Sequence, residues 1–147
     1  MMGSKARISP RLALAAVAVI ALTLSRPAFA QEPKLDCADA YTQSDLNRCA
    51  YQDYEAADAE LNRVYAQAVA AMTEMDEALT GTGLEGAVKA LRAAQRAWIP
   101  FRDAACESEG FMARGGTMEP MVVAGCMTTL TKQRIDDLKQ LAEGLGN

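Results

Sequence analysis

From Thr42 to Leu79 the chain contains neither glycine nor proline. Apolar residues recur through this stretch at Leu46, Ala50, Ala57, Leu61, Val64, Ala68, Met72, Met75 and Leu79. The spacings are three, four or seven, which is one face of a helix about ten turns long. Thr42 is placed to cap its first turn, with Asp45 at the third helical position, a capping box with Asp in place of Glu. Gly81-Thr82-Gly83 supplies the stop. A face of this length needs other long elements to cover it, so the segment steers the whole chain toward an all-α packing.

Two more periodic segments follow. Leu84, Val88, Leu91, Gln95, Trp98, Arg102 and Ala105 share a stripe over residues 84–109, with Pro100 inside it. Proline removes a backbone hydrogen bond and crowds the preceding turn, so a kink or a break into two pieces is expected there. After the loop 110–116, Thr117 is a candidate N-cap, and Pro120 is tolerable in a first turn. Val123, Met127, Leu130, Arg134, Leu138, Leu141 and Leu145 then form a third stripe. No strand-like alternation occurs. Short links between long helices favour antiparallel neighbours, which predicts a three-helix antiparallel bundle. Centring the first turn near Thr82 sets Trp98 level with Tyr65. It also sets Arg102 level with Leu61 and Asn62, one turn from Asp58.

The first thirty residues read differently. Lys5, Arg7 and Arg11 precede an apolar run, Leu12 to Leu24, and Ala28-Phe29-Ala30 fits a small-x-small cleavage site. The run is too short to span a bilayer comfortably. Residues 1–30 are therefore expected to be a signal peptide and 31–147 a single domain, periplasmic or secreted, with no stable membrane anchor after cleavage. Loss of Lys5, Arg7, Arg11 and Arg26 leaves 11 basic against 19 acidic residues, a net charge of −8. That balance disfavours nucleic acid and anionic membrane and favours encounter with a cationic protein. It also suits an exported protein that merely has to stay soluble.

Cys37, Cys49, Cys106 and Cys126 all lie in the mature part, and an even count in a small exported chain reads as two disulfides. Pairing Cys49 with Cys106 would leave an axial offset of about 12 Å. Disulfide Cα atoms sit about 4.4–6.8 Å apart, so Cys37–Cys49 and Cys106–Cys126 are expected. The second bridge runs the third helix back along the second and brings Arg134 near Trp98. Histidine is absent, which removes the commonest zinc ligand and neutral-pH proton carrier. No metal or cofactor is expected.

Taken in order, Cys37, Thr42-Gln43-x-Asp45-x-Asn47-x-Cys49 and Ala57-Asp58-x-x-Leu61-Asn62-x-x-Tyr65 resemble the start of the lysozyme-inhibitor LprI-type N-terminal domain family. Gln95-x-x-Trp98-x-x-x-Arg102-Asp103-x-x-Cys106 continues the match, then Gly115-Gly116-Thr117-Met118-x-Pro120, Cys126, Arg134 and Leu138. The resemblance covers the mature chain from Cys37 to about Leu141. It implies a small exported helical domain with disulfides and, by the family's label, a lysozyme as partner.

Two groups of residues compete for a functional role. Asp58, Asn62, Tyr65, Gln95, Trp98, Arg102 and Arg134 could form a recognition patch, since Trp, Tyr and Arg dominate binding hot spots. Their positions on inward stripes read better as an interhelical cluster, with Arg102 paired to Asp58 or bonded to Asn62 and with Asn62 and Gln95 as buried polar partners. Arg114, Gly115, Gly116 and Thr117 are the better binding candidates, in a loop flanked by Cys106 and Cys126. Arg114 could meet the catalytic carboxylates of a glycosidase. The same loop also reads as an ordinary helix connection whose glycines supply unusual backbone angles. An enzyme is disfavoured. Asp103 with Glu107 is an ordinary surface spacing, and no catalytic residue is assigned. The expected function is protein binding, a lysozyme or another cationic exported protein being the partner. A helical structural or chaperone-like module is the alternative, and a cell-wall-active enzyme comes last.

Overall fold

The computed structural model describes residues 35–144, all within one compact unit. The proposed signal peptide, residues 1–30, and Leu145 lie outside the described residues. Three helices make up the fold: α1 (Gln43–Ala78), α2 (Ala87–Gly110) and α3 (Glu119–Glu143). Single 3-10 turns occupy Cys37–Asp39 and Phe111–Ala113, and no strand occurs among the described residues.

Cross-helix contacts fix the directions. Arg102 reaches Asp58 and Arg134 reaches Gln95, so α2 runs antiparallel to both neighbours. Gln43 meets Met121 and Lys139 approaches Glu60, so α1 and α3 run parallel, and their seam is the most extensive in the bundle. The core is built on that seam and closed by α2: Leu61, Val64, Ala68, Met72, Leu91, Ile135 and Leu138. Tyr65, Val88 and Trp98 pack on it while staying partly exposed.

The position of α3 accounts for one shift from the expected stripe. Ala124, Cys126, Thr131, Ile135 and Leu138 are buried, whereas Leu141 is exposed and Val123, Met127, Leu130 and Arg134 are only half-buried. A helix lodged against two others buries a wider and rotated face, centred here between α1 and α2. Leu46 and Met75, expected inside, are exposed for a different reason. A 36-residue helix is longer than either partner, of 24 and 25 residues, so neither flanks it from end to end.

The helix ends show how the chain is punctuated. The Thr42 hydroxyl oxygen accepts from the Asp45 amide (3.1 Å) and the hydroxyl donates to the Asp45 carboxylate (2.7 Å). The cap is therefore reciprocal through side chains, which a short Asp can manage. α2 begins at Ala87, not Leu84, which is left exposed in the connection. The cause lies in α1: the Asp76 carboxylate accepts from the amides of Gly86 (2.7 Å), Ala87 (2.8 Å) and Val88 (3.1 Å). These hydrogen bonds hold its carboxyl below the usual range. Pro100 does not divide α2, which runs unbroken as a helix through it. Pro100 and Arg96 both face solvent, so water can satisfy the Arg96 carbonyl that the proline leaves without a donor. Thr117 is not the cap of α3. Met118 stands there, with no side-chain hydrogen bond, and Pro120 sits in the first turn.

At the far end of α2, Gly110 is buried, and a Cβ there would lie 2.6 Å from Cγ2 of Val123. Val123 is β-branched and stiff, so only glycine lets α2 and α3 approach this closely.

Candidate functional site

Both disulfides close the same end of the bundle. Cys37–Cys49 (Cα–Cα 5.7 Å) ties the lead-in to the start of α1, and Cys106–Cys126 (5.4 Å) joins the end of α2 to the start of α3. Loop 111–118 lies between the halves of the second bridge.

Within that loop, the left-handed conformation of Gly115 (φ 77°) aims its amide at Glu119. The Glu119 carboxylate accepts from this amide (2.8 Å) and from Arg114 Nη1 (2.8 Å). The Gly115 amide first and Arg114 second hold the Glu119 carboxyl below its usual range. The Arg114 guanidinium also lies over the Phe111 ring, 4.4 Å from its centroid. The Thr117 carbonyl accepts from Asn47 Nδ2 of α1 (2.9 Å). The loop is thus latched at Arg114, Gly115 and Thr117. Phe111, Met112 and Met118 are exposed around it, Met112 at 86%.

An apolar groove of about 430 Å³ adjoins this loop, lined by Tyr51, Gly116, Glu119, Pro120, Val123 and Met127 among others. A second groove on the other side of Tyr51 and Pro120 includes Asn47, Gln52 and Glu55. Tyr51 therefore forms a ridge between them, 54% exposed. It lies off the buried stripe of α1, so the periodicity of that helix carried no sign of it.

The remaining candidates form two internal networks. Arg102 is buried, 6% exposed, although it carries a charge. Its Nη1 pairs with Asp58 (3.2 Å) and its Nη2 with Asp103 (2.8 Å). The Trp98 and Tyr54 rings lie 5.2 and 5.3 Å from the guanidinium. Burial opposes the cation, but Asp103, Tyr54 and Asp58 outweigh it and raise the Arg102 pKa. Burial also pushes the Tyr54 phenol up, against the pull of Arg102. Asn62 is exposed, contrary to expectation, and donates to Asp58 (3.2 Å) instead of accepting from Arg102. The pairing is offset one turn from the level expected. Gln95 is buried and accepts from Arg134 Nε (3.0 Å), and Tyr65 packs on the core. Tyr54 and Asp103 were not singled out as members of this cluster. The spacing Tyr54–Asp58, one helical turn, was the available signal.

Among the described residues no group of three or more His, Cys, Asp or Glu side chains could hold a metal ion, and no helix is long and apolar enough to cross a membrane.

These features define a small all-α domain closed by disulfides at one end, a chemistry that fits an extracytoplasmic location. The family model described as "Lysozyme inhibitor LprI" matches residues 36–138, and the chain belongs to that family. A protein of Rhizobium meliloti (strain 1021), described as uncharacterized, is 52% identical over 128 residues, which cover 86% of this chain and 92% of that relative. No solved structure matches the chain. The family is an inhibitor family, and its label makes lysozyme the kind of partner to test first.

Proposed function

We propose that the mature domain, residues 31–147, acts in the periplasm by binding a cationic exported protein, in the first place a lysozyme, and inhibits it without catalysing a reaction. The family match over residues 36–138 carries this reading. The latched loop supports it, because a loop already ordered by Glu119, Phe111 and Asn47 loses little entropy when a partner covers it. Arg114, Gly115, Gly116 and Thr117 are the proposed contacts. Arg114 remains about half exposed although paired, so a carboxylate of a glycosidase cleft can replace Glu119 as its partner.

Titrating the domain against c-, g- and i-type lysozymes in a cell-wall clearing assay tests the proposal. A saturable loss of activity with at least one type is expected. Arg114→Ala should weaken that inhibition even at high salt, because a central contact governs dissociation more than steering. Its thermal stability should be nearly unchanged, since the ion pair removed is exposed. An Arg114→Ala variant that inhibits as well as the parent removes the loop contact. Absence of inhibition with every lysozyme leaves the alternative, a helical structural or chaperone-like module.

A further inference from the structure

Charge is distributed unevenly along the bundle. Residues 35–58 and 100–130, which form the disulfide-closed half, carry 10 acidic and three basic side chains. Arg102 and Arg114 are paired with carboxylates. Residues 59–99 and 131–144, the half that holds the α1–α2 connection, carry eight acidic and seven basic side chains. Nearly all the excess negative charge thus sits at one end. Most of the large exposed hydrophobic side chains are there too: Tyr41, Tyr51, Phe101, Phe111, Met112 and Met118. Solubility alone would not gather apolar and acidic surface together. A monomer gains nothing by exposing several large apolar side chains in one region, and such regions mark interaction sites.

We infer that the disulfide-closed end is the docking surface for the cationic partner, and that Tyr51 and the groove beside it form an apolar anchor next to the Arg114 contact. The inference rests on the protein-binding reading above and names the surface that performs it. The groove floor is supplied by Gly116, Pro120, Val123, Ala124 and Met127, with Tyr51 as one wall. It takes an apolar side chain of the partner, and the acidic end, with Glu119 lining the groove and Glu55 one turn of α1 from Tyr51, faces the Lys and Arg residues that flank it. Tyrosine suits the anchor role because it offers a large, rigid contact with few rotamers to freeze. Arg114 sits on the rim of the same surface, over Phe111 and beside Glu119, so the charged contact and the apolar anchor lie side by side. The same polarity orients the encounter: a cationic protein meets the acidic end first.

Association and dissociation rates with the c-, g- and i-type lysozymes separate these roles. Tyr51→Ala should speed dissociation at least tenfold, with a melting temperature close to the parent's because the side chain is more than half exposed. Leu84→Ala, at the opposite end and 72% exposed, should change neither rate. Neutralising Asp53 and Glu55 together as Asn and Gln should slow association several-fold at low salt. Neutralising Glu74 and Glu77 as Gln, toward the other end, should not. A Tyr51→Ala variant that dissociates like the parent, or acid pairs with equal effects, overturns the inference while the protein-binding reading stands. A parent that binds none of the lysozymes overturns both.

Discussion

At the level of single residues, Arg102 shows how much of a sequence pattern survives into three dimensions. The Gln95, Trp98 and Arg102 stripe was legible because residues three and four apart share a helix face. The partners on α1 were legible only to within one turn, since register between helices depends on loop geometry that periodicity does not encode. Tyr54 was missed because it lies beside the buried stripe and not on it, yet its ring covers the guanidinium. Arg102 uses its planar fork toward Asp58 and Asp103 and its faces toward two rings, a combination that lysine cannot reproduce. Arg102→Lys should therefore destabilise the domain by about 1–2 kcal/mol, the scale of a desolvated cation–π contact, as read by denaturant unfolding. Thr131 makes the opposite case. It is fully buried and its hydroxyl has no hydrogen-bond partner. Thr131→Val keeps the shape and removes an unsatisfied group, so it should stabilise by about 1 kcal/mol. A loss of stability would mean that the hydroxyl is satisfied after all.

Among the helices, existence and order were readable from periodicity, and their boundaries were less so. α1 obeyed its local signals, with Thr42 and Asp45 three residues apart in the chain and the glycines after Leu79 ending it. α2 did not, because its start is set by Asp76, ten residues before Gly86 and in a different helix. A cap supplied across a turn leaves no local motif. The same carboxylate gives the hairpin a pH dependence. Its folded-state pKa lies below the ordinary value, so its stabilisation is complete above the unfolded value of about 3.9 and is lost as pH falls through the lowered folded value. Asp76→Asn should lower the melting temperature at pH 7, where one amide oxygen must serve three N–H donors. The gap between variant and parent should begin to narrow as the pH falls below about 4, where the carboxylate of the unfolded chain protonates, and close only below the lowered folded value. A gap that persists unchanged at pH 2 would assign the effect to packing instead of charge.

Over the whole molecule, the two ends of the bundle are built for different tasks. One end is a tight connection capped by Asp76; the other collects both disulfides, the latched loop, the exposed aromatics and most of the net negative charge. The cysteine pairing was narrowed beforehand because an axial offset rules out Cys49–Cys106, one of the three connectivities that four cysteines allow, and the observed pairing is the one expected. The loop could be noticed for its glycines and flanking cysteines. Its bond to Asn47 and its continuity with Tyr51 could not, because both depend on how α1 and α3 lie together, and parallel packing of those two helices has no local signature. The central claim is that this end of the domain binds a cationic lysozyme through acidic steering followed by short-range contact. Association and dissociation rates of the mature domain with the lysozyme it inhibits, measured by stopped-flow from low to physiological salt and beyond, test it most directly. An association rate that falls steeply with ionic strength and a dissociation rate that hardly changes are expected. An association rate indifferent to salt, or no complex with any lysozyme at low ionic strength, would contradict it.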